Sequence, residues 1–236
     1  MLKKIIVTGG DGRFAQELKK NKSKYNFVFR NKNQLNILSI KSIEKNIKEF
    51  KPKYVLHLAG LSRPMSIHDH KISRSIDLNI VGTCNLVKIC ILKKIKLIFF
   101  STSYVYPGTK GNYKETDPVL PWNNYGWSKL GAEAAVQMYK NSLIIRACMT
   151  EKPFIHDYAY SNVKSNFIFH DDIAKKILKV IDKKGVINIG GKAQSIYKFA
   201  IRNKKNVKKK ISKGEFPKNM DMSLVKLKKI LKNENI

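Results

Sequence analysis

The 236-residue sequence predicts an α/β protein built on a doubly wound parallel sheet. Three observations support this prediction. Short apolar segments alternate with helix-like segments along the first 150 residues. The apolar segments are continuous rather than alternating, as strands covered on both faces are. A glycine-rich turn joins the first predicted strand to the first predicted helix. Together these features predict a sheet with helices packed on both of its faces.

Each element follows from local pattern and from its turn residues. The five core strands are predicted over residues 3–8, 26–30, 54–59, 96–100 and 142–146. The helices between them are predicted over residues 16–20, 40–50, 79–93 and 129–140. Beyond residue 147 the pattern loosens: residues 152–165 are predicted as loop, 167–174 as a short strand entering a helix that ends near 183, and 185–191 as a further strand. Terminal helices are predicted over residues 195–203 and 223–231.

The turn after the first strand has the spacing Gly-x-x-Gly-x-x-Ala, at Gly9, Gly12 and Ala15. Gly9 permits the tight turn, Gly12 lets the backbone approach a pyrophosphate, and Ala15 keeps the helix close to the sheet. The start of the helix supplies free amide groups and partial positive charge for phosphates. The loop therefore predicts a Rossmann-like dinucleotide site.

Tyr125 and Lys129 lie four residues apart in a segment that predicts a helix. Positions i and i+4 share one helix face, so the phenol and the ammonium can reach one pocket. A free tyrosine has a pKa near ~10, and a neighbouring cation favours the phenolate and lowers that value. The pair is a candidate proton-transfer device. In a lysine-rich chain the same spacing also arises by chance. The pair supports a catalytic role only because it follows the glycine loop in the sequence.

The net charge of +30 raises the question of nucleic-acid binding. Only six of the 47 basic residues are arginine. Proteins that recognise nucleic-acid bases and phosphates favour arginine, because its guanidinium group donates two parallel hydrogen bonds. Lysine is spread along the whole chain and is concentrated only in residues 204–210. We expect incidental attraction to polyanions and no dedicated nucleic-acid partner.

The three cysteines and five histidines predict neither a structural metal site nor a disulfide framework. No apolar run is long enough to predict a membrane span, and no signal peptide precedes the first strand. We expect a reduced, cytoplasmic protein without a metal or a membrane partner. His68 and His70 are predicted to be solvated on a loop, and His57, between two leucines, to be a satisfied core histidine.

Five segments in order resemble the extended short-chain dehydrogenase/reductase family: residues 8–15, the run Ser-Thr-Ser-Tyr-Val-Tyr at 101–106, the Tyr-x-x-x-Lys pair, residues 167–174 and residues 186–191. Residues 101–109, 115–118 and 124–130 resemble most the branch that reduces nucleotide-linked keto sugars. The resemblance implies a dinucleotide-binding Rossmann domain over residues 1–150. It also implies a small substrate-binding part over residues 151–236 that partly returns to the sheet, and a homodimer.

The resemblance also implies the roles of the site residues. Thr102 would hydrogen-bond a substrate carbonyl beside Tyr125, which would protonate its oxygen, while Lys129 would hold the nicotinamide ribose. Asn79 would either support this site or cap the long helix. The cofactor-binding set implied is Gly9, Gly12, Arg13, Phe14, Arg30, Asn36, Ile37, Ala59, Gly60, Leu61, Tyr125 and Lys129.

Cofactor choice rests on the end of the second strand. Sites that prefer NAD place an acidic residue there to bind the ribose hydroxyls. No acidic residue occurs between Glu17 and Glu44, and the strand ends in Arg30, with Lys32 after it. Arg30 can pair with the 2′-phosphate of NADP(H), so we expect NADP(H), with NAD(H) as the weaker ligand. Arg30 as one more solvated cation is the alternative.

The leading hypothesis is an NADP(H)-dependent reductase of a nucleotide-linked 4-keto-6-deoxy sugar. Its nearest rival is a nucleotide-sugar epimerase, which would retain its cofactor unchanged. A dehydratase is disfavoured because that branch has an Asp-Glu pair after the strand-end threonine, where this chain has Ser103 and Tyr104. From another class, a non-catalytic dinucleotide sensor is disfavoured because both Tyr125 and Lys129 are present.

Overall fold

The computed structural model describes residues 2–233. Its strands are β1 Lys3–Thr8, β2 Tyr25–Arg30, β3 Tyr54–His57, β4 Lys96–Thr102, β5 Ser142–Ala147, β6 Met149–Thr150, β7 Tyr158–Tyr160, β8 Lys164–Ser165, β9 Ile168–Phe169, β10 Gly185–Ile189, β11 Gln194–Ser195 and β12 Lys208–Lys210. Six of these strands form a parallel central sheet in the order β2-β1-β3-β4-β5-β10. The strand order reverses between β1 and β3, which is where such sheets bind ligands.

Helices cover both faces of the sheet, as the sequence predicts. They are α1 Arg13–Lys19, α2 Ile40–Phe50, α3 Ile67–His70, α4 Ile72–Ser75, α5 Gly82–Leu92, α6 Asn124–Gln137, α7 His170–Val180, α8 Ile196–Ile201 and α9 Val225–Asn233. A π-helical segment, Ile76–Val81, joins α4 to α5, and a 3₁₀ turn, Ser103–Val105, follows β4. One apolar layer holds α1, α7 and α9, and the other holds α2, α5 and α6.

Three element bounds near the glycine loop and the ends of β3 and β4 differ from the sequence predictions. Helix α1 begins at Arg13 rather than at residue 16, because Gly12 in extended conformation serves as its N-cap. Strand β4 continues two residues further, to Thr102, whose hydroxyl accepts a hydrogen bond from the Tyr104 amide in the following turn. Strand β3 ends at His57, two residues earlier than predicted. His57 is a satisfied core histidine, as predicted, because its ring nitrogens meet Thr8 and Thr83.

The segment predicted as loop, residues 152–165, contains the strands β7 and β8. Strand β7 pairs with β12, and β8 pairs with β11, so both depend on partners far along the chain. These elements surround a separate apolar group, here called the second core. Its buried members are Phe154, Ala159, Val163, Phe169, Ile196, Phe199, Ala200, Val207 and Met220. Beyond it β10 pairs with β5 and extends the central sheet.

The longest helix in residues 2–233 bears on the expectation of no membrane span, which stays a prediction. The α4 and α5 helices and the π segment between them form a continuous helix of 21 residues, Ile72–Leu92, that is long and apolar enough to cross a membrane by those two criteria alone. Half of its most apolar stretch is buried inside the fold. A core helix of this kind meets the same criteria, because it packs on the sheet with its apolar face.

Candidate active site

The glycine loop and the end of β3 are packed directly against each other. Gly9 has φ of 68°, and a Cβ there would lie 2.8 Å from the Ala59 backbone. The Thr8 hydroxyl accepts a hydrogen bond from the Ala59 amide at 3.1 Å. Only a glycine fits at position 9, because the glycine loop and the loop after β3 approach so closely. The crevice between these two loops is narrow and lies where the strand order reverses.

A cavity of about 1290 Å³ opens from this crevice along the carboxyl ends of the strands. Its wall includes Gly9, Gly12, Arg13, Phe14 and Gly60 from the predicted cofactor set, and Thr102 and Tyr125 from the predicted catalytic set. A volume of this size exceeds that of ordinary ligand pockets of about 300–1,000 Å³ and leaves room for two extended ligands.

Tyr125 lies in the first turn of α6, which the Asn123 side chain caps by accepting a hydrogen bond from the Gly126 amide at 2.8 Å. Burial raises the pKa of Tyr125 to about 12, and the opposing effects of a hydrogen bond with Thr102 and of the Arg63 charge are smaller. The expectation that Lys129 lowers this pKa is therefore wrong for the protein alone. Tyr125 is held as a neutral phenol, which is the form that can donate a proton.

Lys129 is buried one turn further along α6, with its ammonium 4.1 Å from the centroid of the Phe99 ring. Burial lowers the pKa of Lys129 to about 7, and the nearby Glu133 carboxylate offsets only part of that effect. Lys129 is not among the residues that line the cavity. The site thus holds a buried amine whose cation is only partly stabilised by the groups around it.

A carboxylate joins two arginines across the cavity wall. Glu151 lies 2.8 Å from an Nη of Arg13, at the start of α1, and 2.8 Å from an Nη of Arg63, in the loop after β3. Burial opposes ionisation of Glu151, but hydrogen bonds and the two guanidinium groups hold its pKa below the usual range. Sequence reasoning found Arg13 through the glycine loop and missed the other two, which no local motif marks.

His68 corrects a second prediction, because it is buried in α3 rather than solvated on a loop. Its Nδ1 lies 2.7 Å from the Ser75 hydroxyl, and its ring centroid lies 5.0 Å from that of Tyr125. Burial lowers the pKa of His68 below its ordinary value. Within residues 2–233 no group of three or more His, Cys, Asp or Glu side chains could hold a metal ion.

Asn79 fastens the loop after β3 to α6 and does not cap a helix. It lies inside the π segment, and its side chain exchanges two hydrogen bonds with the Leu61 backbone, at 2.7 and 2.9 Å. Its amide also donates to the Ser128 hydroxyl at 2.8 Å. Of the two interpretations of Asn79 from the sequence, support of the site fits these contacts.

The remaining members of the predicted cofactor set lie outside the cavity wall. Arg30 stacks on Phe50, with its guanidinium carbon 4.1 Å from the ring centroid, and an Nη lies 3.4 Å from Glu49. Its Nε is buried and meets no acceptor within residues 2–233. Ile37 is buried against Gly82, and the Asn36 side chain accepts from the Leu38 amide at 3.0 Å. Because the Nε is closed off, Arg30 could offer a ligand only its terminal Nη groups.

Residues 3–167 match the family model described as the RmlD substrate binding domain. Methionine adenosyltransferase 2 subunit beta of Bos taurus is 30% identical over 143 residues, which cover 57% of this chain and 42% of that protein. The dTDP-4-dehydrorhamnose reductase of Aggregatibacter actinomycetemcomitans is 26% identical over 152 residues, which cover 62% of this chain and 51% of that protein. The chain thus spans about half the length of the curated relatives it matches.

Solved structures share the fold over nearly the whole chain. A dTDP-4-dehydrorhamnose reductase from Bacillus anthracis in complex with NADP has a TM-score of 0.86 at 20% identity, covering 97% of this chain and 91% of that one. The UDP-glucose 4-epimerase of Thermus thermophilus in complex with NAD has a TM-score of 0.77 at 15% identity, covering 96% and 92%. At these identities the likeness shows the fold, a Rossmann-like sheet with flanking helices.

Proposed function

Because the chain belongs to the RmlD substrate-binding-domain family, within the extended short-chain dehydrogenases/reductases, we propose that it is an NADP(H)-dependent reductase of a nucleotide-linked 4-keto-6-deoxy sugar. The observation that carries this proposal is that Thr102 and Tyr125 lie together on the wall of the large cavity, where the threonine hydroxyl lowers the pKa of the phenol in part. A neutral phenol paired with a hydroxyl is suited to bind and protonate a carbonyl oxygen.

The residues at the crevice fit a dinucleotide. Gly12 donates its amide to the Gly9 carbonyl at 2.9 Å, and a Cβ at Gly12 would lie 3.1 Å from that oxygen, so a side chain would narrow the space for a pyrophosphate. The start of α1 offers amides, and Arg13 adds a cation. Arg30 would pair with the 2′-phosphate. When bound, NADPH would supply hydride to the carbonyl carbon.

The chain's own groups would place the substrate and move one proton. The hydroxyls of Thr102 and Tyr125 would bind the carbonyl oxygen, and Tyr125 would give that oxygen its proton as the carbon is reduced. The Lys129 ammonium would bind the ribose hydroxyls beside Tyr125 and stabilise the phenolate that remains. Ground-state burial keeps the proton on Tyr125 until an acceptor arrives.

The substrate side of the cavity would come from the second core and its surroundings. We propose that residues 151–236 serve as the substrate-binding part and 1–150 as the dinucleotide-binding domain. The indole N–H of Trp122 is buried at the cavity and meets no acceptor in residues 2–233, so it is free to bind a sugar or phosphate oxygen. By analogy with the relatives named dTDP-4-dehydrorhamnose reductase, we propose that the reaction belongs to dTDP-rhamnose biosynthesis.

We also propose a cytoplasmic location and a homodimer. Cys84, Cys90 and Cys148 are all free thiols, as proteins of a reducing compartment usually have. The assembly can be tested by light scattering of the purified chain.

A second candidate function, a non-catalytic dinucleotide-binding subunit, is favoured by one observation. Several relatives at 29–35% identity are named as a subunit of another enzyme, methionine adenosyltransferase 2. Such a protein would bind NADPH without turning over any keto sugar. A nucleotide-sugar epimerase would interconvert sugars with no net consumption of cofactor.

The test of the proposed function is a screen of dTDP-, UDP-, GDP- and CDP-linked keto sugars that follows NADPH absorbance. We expect one keto sugar to consume NADPH stoichiometrically. The Tyr125→Phe variant should bind NADPH normally but lose at least about 10²-fold in kcat, the usual contribution of a positioned acid. Tyr197→Phe, which removes a phenol hydroxyl outside the cavity wall, is the matched control.

Two outcomes would contradict the reductase proposal, and a third would contradict the role of Tyr125. NADPH binding without turnover of any sugar would favour the non-catalytic subunit. Epimer interconversion without NADPH consumption would favour the epimerase. Near wild-type turnover in Tyr125→Phe would remove Tyr125 from the mechanism.

A further inference from the structure

A second cleft, of about 860 Å³, lies at the opposite edge of the sheet from the candidate active site. It is formed where α2 leads into β3 and where α5 leads into β4, so it lies at the amino ends of these strands. Because β4 has seven residues at about 3.3 Å each, the two sites are about 20 Å apart. The cleft is therefore separate from the cavity that holds Thr102 and Tyr125.

Seven of the eleven residues that line this lysine cleft are lysines, and only one is acidic, Glu44. Three of the lysines lie on α2, two between α2 and β3, and two between α5 and β4. They are Lys41, Lys45, Lys48, Lys51, Lys53, Lys93 and Lys94. All seven are exposed, and the lysine ion pairs found within residues 2–233 involve other lysines.

The lysines of α2 repel one another, although Glu44, four residues before Lys48, and Glu49, four residues after Lys45, offset part of that repulsion. Lys41, Lys45 and Lys48 follow the i, i+4, i+7 spacing, so three like charges lie along one helix face. A cation near a helix C-terminus complements the helix dipole, which accounts for Lys48 and Lys51 at the end of α2. It does not account for the first two turns of α2.

Two lysines of the cleft end helices in the left-handed conformation. Lys51 has φ of 46° at the end of α2, and Lys94 has φ of 53° just after α5. A left-handed residue is a common helix ending, usually a glycine. Here both positions carry a lysine instead, and both lysines line the same cleft.

We propose that the lysine cleft binds a compact ligand carrying three or more phosphates, either an inorganic chain or the phosphates of a nucleotide. Ammonium groups bind phosphates as point charges, and several of them are needed for a polyanion in water. The lining contains no arginine and no aromatic side chain. It therefore lacks the bidentate donors and stacking platforms with which proteins hold nucleic-acid bases.

The test is calorimetric titration of the full chain with inorganic triphosphate at fixed ionic strength. The cleft variant combines Lys45→Gln, Lys51→Gln and Lys94→Gln. The matched control combines Lys205→Gln, Lys208→Gln and Lys209→Gln, which removes the same charge from exposed positions outside the cleft. We expect saturable binding that the cleft variant weakens about tenfold or more and the control less than about twofold.

Lys51→Gly provides an independent variant in case the triple substitution disturbs folding. Glycine adopts the left-handed conformation without strain, so the Tm should stay unchanged or rise while triphosphate binding weakens. A parallel titration with ATP, with NADPH saturating the crevice at the glycine loop, separates the two ligand sources. Binding that is tighter than that of triphosphate and is weakened by the cleft variant assigns a nucleotide, and equal binding assigns the phosphate chain alone.

The proposal is overturned if triphosphate binding does not saturate, or if both triple variants weaken it equally, which is general attraction to a basic protein. It is also overturned if a short single-stranded RNA binds the cleft more tightly than triphosphate at the same ionic strength. None of these measurements involves sugar reduction, so the result is independent of the proposed activity.

Discussion

At the scale of single residues, Lys129 carries an electrostatic cost that only function explains. It is 8% exposed, and burial lowers its pKa from 10.5 to about 7. The ring of Phe99 and the Glu133 carboxylate stabilise the cation in part. A methionine of similar length would fill the same space without a charge to desolvate. A ligand with hydroxyl groups beside Tyr125 would accept hydrogen bonds from the Lys129 ammonium and so complete the stabilisation of its charge.

We predict that Lys129→Met stabilises the protein and abolishes its activity. The unfolded lysine keeps its proton up to pH 10.5 and the folded one only up to about 7, so the unfolded state binds more protons between these values. The penalty is therefore full below pH 7 and is relieved as pH rises to 10.5. The shift in pKa corresponds to a penalty of about 5 kcal/mol. Thermal unfolding at pH 6 and pH 10 should show a Tm gain of several degrees that is larger at pH 6.

Two results would contradict that prediction. A lower Tm for Lys129→Met at pH 6 would mean that the buried ammonium stabilises the fold. Retained activity would mean that the amine has no part in the reaction.

Arg30 is the residue on which cofactor choice depends. Its guanidinium is held flat on Phe50, and its contact with Glu49 is long and partly exposed, so its donors remain free for a 2′-phosphate. We predict that wild type binds NADPH more tightly than NADH by about tenfold or more, as a charge-assisted pair implies. Arg30→Ala should remove most of that difference, and Glu49→Gln should increase it.

Dissociation constants measured by titration at fixed ionic strength decide this point. Arg30→Lys serves as the control, because it keeps the charge but loses the planar fork and the stacking. Equal affinity of the wild type for the two cofactors would show that Arg30 does not read the 2′-phosphate.

At the scale of elements, the candidate site depends on how closely α6 approaches the turn after β4. Gly126, in the first turn of α6, faces the Tyr104 carbonyl, and a Cβ at this position would lie 2.5 Å from that oxygen. The Pro121 side chain closes the other side at 2.9 Å. This contact places Tyr125 beside Thr102, since the two residues lie on the two elements that Gly126 holds together.

We predict that Gly126→Ala lowers both stability and activity. The added methyl group must push the start of α6 away from backbone, at a cost of about 1–3 kcal/mol. Gly131→Ala on the same helix is the control, because its methyl group would meet only the Ile80 side chain, which can shift. Chemical denaturation and kcat/KM should both change more at position 126 than at position 131. Equal effects at the two positions would show that the close approach is unimportant.

At the scale of the whole molecule, the net charge of +30 repels itself in the folded state. Salt screens this repulsion, with a Debye length near 10 Å at 0.1 M. We predict that the Tm rises by several degrees between about 20 and 300 mM NaCl. Sucrose at matched osmolality is the control for non-ionic effects. A Tm that falls over this range would mean that ion pairs such as Lys204–Asp157 outweigh the repulsion.

The central sheet could be predicted from sequence because each of its strands is a local apolar run. The second core could not, because its strands have two or three residues and gain their partners only in the folded chain. Lys208–Lys210 has no apolar pattern at all, yet it pairs with β7. Within the site, the Thr102–Tyr125–Lys129 order could be predicted, whereas the burial of His68 and the Arg13–Glu151–Arg63 bridge arise from loops that meet only in space.

The second core is connected to the sheet by four passes of the backbone. The chain leaves the sheet after Ala147, returns at α7, leaves again after Ile189 and returns at α9, whose Leu227 joins the first apolar layer. Two domains joined by a single linker can change their relative orientation by bending that linker. Here the sheet and the second core are joined by four segments, all of which would have to bend at once. The four connections therefore resist any change in the relative orientation of the two cores, and the cavity between them keeps its shape as a consequence.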